Sequence, residues 1–265
     1  MRCALSFTCE GATLAGTLDE APGTTGLLIV SGGNEIRIGA HRGMAELAAD
    51  ISAAGYPVFR FDRRGIGDSE GENAGFRESG PDIAAAITSF RAACPAVTRL
   101  IGFGNCDAAT ALVLHNVEVD HMVLANPWVI EPVDDLPPPA AIRSHYMRRL
   151  VDPKAWLSLF QGKLNLRKAM KGVARAASQP ESSPLAEAFA KALMPRIMAT
   201  TIILARRDNT AIAFEQAWQG AAFREHRTYQ DMDIVDLDSA SHSFASDGDY
   251  AVLRDVLVEV LESRR

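Results

Sequence analysis

The stretch Gly102-Phe103-Gly104-Asn105-Cys106-Asp107-Ala108-Ala109 decides how this chain is read. An apolar pair, Leu100-Ile101, precedes it, and a helical run, Ala111-Leu112-Val113-Leu114, follows. A strand that turns sharply into a helix, with a nucleophile at the apex between small residues, is a nucleophile elbow. Small residues at 104 and 108 are needed because the turn brings the strand and helix backbones together. The apex residue takes a strained conformation that projects its side chain into a site. Here the apex is Cys106, at a predicted helix N-terminus whose dipole favours thiolate. Asp107 opposes that effect if ionised, or stabilises the helix start.

Working outward, strand and helix patterns alternate on both sides. Residues 4–10 and 12–18 read as a hairpin about Glu10-Gly11. Residues 26–31 form a buried strand ending at Gly32-Gly33, a helix follows to Gly55, and 56–61 is the next strand. A helix over 83–94, the elbow and a strand over 121–125 come next. After Pro195 the alternation resumes with strands at 200–204 and 233–237 and helices at 214–223 and 250–262. Such alternation predicts a mostly parallel sheet with helices on both faces, plus an N-terminal antiparallel hairpin. The pattern breaks at Asn126-Pro127. Residues 128–195 are proline-rich, including Pro137-Pro138-Pro139, with helical segments and no convincing strand. The expected division is a core of 1–127 and 196–265 with a helical lid, 128–195, inserted over the site.

Partners for Cys106 follow from position. His242 lies on the loop after the last strand, where loops at the carboxyl edge of a parallel sheet converge. Asp208 ends the penultimate strand and can accept the imidazole N–H, fixing the useful tautomer. Asp238, four residues before the histidine, is the rival carboxylate and reads more naturally as a turn or cap residue. Ser31-Gly32-Gly33-Asn34 stands where an oxyanion loop belongs, so the N–H groups of Gly33 and Asp107 are the expected donors. The turn Asp62-Arg63-Arg64-Gly65-Ile66-Gly67-Asp68-Ser69 reads as structural, with Arg64 tying loops together. Asn34, Glu35, Arg37, His41 and Arg42 make the loop beside the oxyanion donors polar. Asn34, Arg37 and Trp128 are therefore candidate substrate contacts, with Tyr146, Leu150 and Trp156 as further apolar walls; core packing accounts for the aromatic residues equally well.

Bulk properties narrow the class. The chain has 265 residues, 48% hydrophobic and 23% charged, and a formal net charge of −6. Nothing basic attracts nucleic acid, and no apolar run approaches the ~20 residues of a membrane span. The N-terminus runs straight into a strand-like alternation without a signal pattern. Cysteines 3, 9, 94 and 106 lack metal-ligand spacing and suggest no disulfide framework. A reducing, cytoplasmic setting is expected. No dinucleotide or metal motif appears, so no cofactor and no metal are expected; the partner is a small-molecule acyl substrate, polar or anionic.

Nucleophile, acid and base in that chain order, with the oxyanion loop and a D-x-R-G-x-G-x-S turn, resemble the α/β-hydrolase superfamily over nearly the whole chain. More narrowly, Ser31–Gly43, Phe59–Ser69, Gly104–Ala108, Leu124–Trp128 and Asp134–Pro139 look like the type 1 exosortase A system-associated hydrolases. That likeness implies a role near bacterial exopolysaccharide or protein-sorting loci, without naming a substrate. The elbow cysteine is also similar to that of dienelactone hydrolase, from which the large insertion sets this chain apart. The resemblance and the residues together predict a Cys-His-Asp acyl hydrolase of an ester, thioester or lactone. Acyl transfer on the same apparatus, or a weakly catalytic ligand-binding protein of the same fold, are the alternatives.

Overall fold

The computed structural model describes residues 1–130, 183–229 and 232–263. Eight strands form one sheet: β1 (Arg2–Cys9), β2 (Ala12–Asp19), β3 (Thr25–Val30), β4 (Val58–Phe61), β5 (Arg99–Asn105), β6 (His121–Ala125), β7 (Thr200–Ala205) and β8 (Asp233–Leu237). Their order is β1-β2-β4-β3-β5-β6-β7-β8. The β1–β2 and β2–β4 pairs are antiparallel and the remaining pairs parallel. Glu10 (φ 48°) and Gly11 (φ 86°) make the hairpin turn. Positive φ at both central residues is the condition for the type I′ turn that matches strand twist.

Buried parallel strands carry apolar side chains on both faces, and alternate residues feed alternate cores. Leu28, Val30, Leu100, Leu124, Ile202 and Leu204 face one cluster. Leu27, Ile29, Ile101, Phe103, Val123 and Ile203 face the other. The first layer is closed by α2 (Gly80–Ala93), α3 (Asp107–Leu114), α4 (Pro184–Leu193) and α5 (Asn209–Gln219). The second is closed by α1 (Gly43–Ala53) and α6 (Asp247–Glu262).

The order β4-β3-β5 places a crossover at β3. The connection after β3 runs to β4 on one side and that after β5 to β6 on the other, which opens a crevice at the carboxyl ends of β3 and β5. Val30 pairs with Gly104, so the Ser31–Asn34 loop lies beside Asn105 and Cys106.

Two local differences from the sequence expectations have physical causes. The helix expected at 214–223 runs Asn209–Gln219, because the Asp208 side chain caps its start. The helix expected from 83 begins at Gly80, with Pro81 in the first turn, where its missing N–H costs nothing. Of the expected lid, residues 131–182 lie outside the described residues. Its last stretch, α4, belongs to the core: Phe189 packs edge-on to Phe214 and tilted on Phe223. Among the described residues no helix is long and apolar enough to cross a membrane.

Candidate active site

Cys106 sits between β5 and α3 with φ 61° and ψ −125°. A non-glycine residue holds such a conformation only where its surroundings over-determine it. They do: the Cys106 N–H donates to the Ala125 carbonyl (2.9 Å), and its own carbonyl accepts from Trp128 N–H (3.2 Å). The small neighbour is required, since a Cβ on Gly104 would lie 2.7 Å from the Ala108 carbonyl carbon.

His242 and Asp208 meet at this apex. His242 Nδ1 lies 3.1 Å from Asp208 Oδ2. Nδ1–H must donate to the carboxylate, which leaves Nε2 as the ring nitrogen available to Cys106, whose side chain lies close enough to raise the imidazole. Asp208 is nearly buried, and burial pushes its carboxyl upward. The His242 hydrogen bond and charge, with the N–H groups of Ala211 and Thr210, outweigh burial and hold it below the usual range. His242 is pushed up to about 10, by the bond to Asp208 first and by the Cys106 side chain second, against desolvation. Asp208 Oδ2 also accepts from Thr210 N–H (2.9 Å) and Ala211 N–H (3.2 Å), so one oxygen caps α5 and faces the histidine. Asp238 points elsewhere: it is exposed, and Oδ1 pairs with Arg207 Nε at 2.9 Å.

The expected oxyanion donors are not equivalent. Asp107, first residue of α3, carries an N–H that no intrahelical acceptor can take. The Gly33 N–H is not open: it donates to Asp107 Oδ1 at 2.6 Å. This corrects the expectation that Gly33 and Asp107 simply contribute two free N–H groups. The side chain of one residue occupies the donor of the other, while Arg63 Nη2 holds the Gly33 carbonyl.

Two asparagines escaped sequence reasoning. Asn105 Nδ2 donates to the His242 carbonyl (2.9 Å), and its Oδ1 accepts from Asn126 Nδ2 (3.3 Å). Asn126 Oδ1 in turn accepts from Ala205 N–H (2.9 Å). The pair ties the ends of β5, β6 and β7 to the histidine loop. Asn126 is fully buried and at φ 41°; in the sequence the available signal was a polar residue directly after the apolar strand at 121–125.

The substrate candidates fare differently. Arg37 is not free to meet a substrate: its guanidinium bonds Asp62, Asp68 (2.9 Å) and Thr17 Oγ1 (3.1 Å). Arg37 is therefore corrected to a loop-tying residue, held by a carboxylate that is itself fully buried. Asn34 is exposed beside the site and accepts from Asn73 Nδ2 at 2.8 Å. Trp128 is half-buried just past β6, its backbone bonded to Cys106 and to Thr110 Oγ1 (2.6 Å). Tyr146, Leu150 and Trp156 lie outside the described residues. Arg64 bonds Asp82 and Glu10, as a loop tie should. His121 and His226 are away from the apex, bonded to Thr201 and to the Ala190 carbonyl. Among the described residues, no group of three or more His, Cys, Asp or Glu is placed to hold a metal.

An elbow residue at a crossover crevice, approached by the loops after β3, β7 and β8, defines a hydrolase-type fold. The model of the Alpha/beta hydrolase family matches residues 27–259, and the chain belongs to that family. Solved structures agree on the fold. An esterase from Pyrococcus furiosus is 16% identical with a TM-score of 0.63, the match covering 99% of this chain and 91% of that one. An esterase from Exiguobacterium antarcticum is 12% identical with a TM-score of 0.61, covering 98% and 100%. An alpha/beta hydrolase from Penicillium is 16% identical with a TM-score of 0.61, covering 99% and 98%. No curated protein matches the sequence.

Proposed function

We propose that this chain is a cysteine acyl hydrolase that acts on an ester, thioester or lactone through a thioester acyl-enzyme. The observation that carries it is the strained Cys106 apex with His242 beside it, itself bonded to Asp208. The esterases among its structural relatives support the reaction class.

In this scheme the Cys106 sulfur, its proton on His242, attacks the carbonyl carbon. The S–C bond forms and the carbonyl π pair moves to oxygen. Collapse expels the leaving group, which takes the His242 proton. Water, deprotonated by His242, then attacks the thioester and regenerates the thiol. Asp208 fixes the imidazole tautomer and stabilises the imidazolium. Each oxyanion donor in such a site is worth about 3–4 kcal/mol. A thiolate is a good leaving group, so activated acyl groups suit this nucleophile better than amides.

The four cysteines are free thiols, which fits a reducing, cytoplasmic compartment. The motif likeness to exosortase-associated hydrolases suggests work in bacterial exopolysaccharide metabolism. One observation favours a second reading, a ligand-binding protein with poor turnover: the Asp107 carboxylate on Gly33 N–H weakens the oxyanion site. Steady-state assays on a panel of acyl esters and thioesters separate the two. Turnover lost in Cys106→Ala, with the fold intact by circular dichroism, is expected of the hydrolase. Absence of turnover on the whole panel, with retained ligand binding, overturns it.

A further inference from the structure

The contact between Asp107 and Gly33 joins the residue after the nucleophile to a loop 74 positions earlier. We propose that Asp107 is a specificity-determining residue. Its carboxylate holds the second oxyanion donor and so restricts the enzyme to acyl groups with good leaving groups. The inference rests on the acyl-hydrolase reading above.

At 2.6 Å the bond is short even for a carboxylate accepting from an amide, the stronger, charge-assisted kind. The acceptor occupies the space an oxyanion would need against the same N–H. No cation among the described residues forms an ion pair with Asp107. Arg63 reaches Gly33 only from its carbonyl side. A developing oxyanion therefore has one free donor, the Asp107 N–H, and meets a like charge where the second should be.

Both handicaps grow with the charge on the carbonyl oxygen, and that charge depends on the leaving group. When a thiolate attacks a 4-nitrophenyl ester, the nitrophenolate is the weaker base and leaves more readily than the thiolate. Addition then limits the rate, and its early transition state carries little oxyanion charge. With an alkyl ester the tetrahedral intermediate mostly expels the thiolate again. Breakdown becomes limiting and the oxyanion is fully developed. Asp107 thus penalises alkyl esters most, and esters of acidic phenols such as 4-nitrophenol least.

The test compares wild type, Asp107→Asn and Asp107→Ala on 4-nitrophenyl, thiophenyl and ethyl esters of one acyl group. The backbone N–H survives both substitutions, and thermal unfolding checks the fold. In Asp107→Ala, kcat/KM for the ethyl ester should rise about tenfold or more, within the range set by one oxyanion donor. The 4-nitrophenyl ester should gain much less, so the ratio of the two kcat/KM values is the readout. The dependence of log kcat/KM on leaving-group pKa should therefore flatten. Asp107→Asn, whose neutral amide oxygen holds Gly33 more weakly, should fall between. A uniform change across the series, or slower reaction of the ethyl ester in both variants, overturns the inference. Intact mass separates its failure from that of the parent reading. Absence of acylated Cys106 in every protein overturns both; acylation with an unchanged leaving-group dependence overturns this one alone.

Discussion

At the scale of residues, Asp208 performs two tasks with one oxygen, and single substitutions separate them. Asparagine is as good a helix cap as aspartate, so Asp208→Asn should leave the thermal midpoint nearly unchanged. Its amide oxygen, kept in place by the cap, still accepts Nδ1–H, but the neutral group cannot stabilise imidazolium, so single-turnover acylation should fall strongly. Asp208→Ala should lose the cap as well, at about 1 kcal/mol. Asp238→Asn, which alters an exposed pair with Arg207, should be close to silent. A mild defect at 208 beside a severe one at 238 would reverse the assignment.

The same pair sets a pH signature. His242 is raised to about 10, so its protonated form favours the folded state. That contribution is complete below its ordinary value near 6.5 and is lost as pH rises through about 10. Asp208 is lowered from 3.8, so its contribution is present above that value and is lost as pH falls through the lowered one. An NMR titration of the His242 ring should show a midpoint near 10 in wild type and a lower one in Asp208→Asn. A midpoint near 6.5 in both would mean that the pairing is not formed in solution. The placement of Cys106, His242 and Asp208 at one edge of the sheet was legible in the sequence because each ends or follows a recognisable strand in the expected order. The Asp107–Gly33 bond was not, since an elbow motif fixes where a backbone goes and not where the next carboxylate reaches.

At the scale of elements, the strand ends are held by side chains as well as by ladder bonds. Asn126 accepts from Ala205 and donates to Asn105, which in turn holds the His242 carbonyl. Asn126→Ala leaves the Ala205 N–H buried without that acceptor. The expected loss is about 1–3 kcal/mol by chemical denaturation. Acylation should fall with it, because the histidine loop loses its tie to β6. Unchanged stability would show that another group satisfies Ala205. Polar residues at the ends of apolar strands are ambiguous in a sequence, where Asn126-Pro127 reads as a turn. Their pairing depends on strand order, which motifs do not encode. The helix at 209–219 was likewise displaced in the sequence reading, because Asp208 was weighed as an acid and not as a cap.

At the scale of the whole molecule, the alternation of strands and helices was enough to give the mostly parallel sheet and its hairpin edge, while the strand order that makes the crossover crevice came from the structure. Two faces of apolar residues on consecutive strands leave little choice of architecture. The insertion was less legible: α4 carries prolines at its borders, yet its Phe189 and Leu193 are fully buried core residues. The molecule also ranks its thiols. Cys9 is buried and pushed up to about 11 by desolvation and then by Asp82, and burial raises Cys94 as well. The half-buried Cys106, at a helix start beside His242, should react first with iodoacetamide at neutral pH, as peptide mapping would show.

The central claim is a covalent bond to Cys106, and it can be weighed directly. Wild-type protein mixed with excess 4-nitrophenyl acetate and quenched early should gain the mass of one acetyl group, located by peptide mapping on Cys106. Cys106→Ala should gain none and should release no nitrophenolate above background. An acetyl group mapped to another residue, or turnover that survives in Cys106→Ala, would contradict the account.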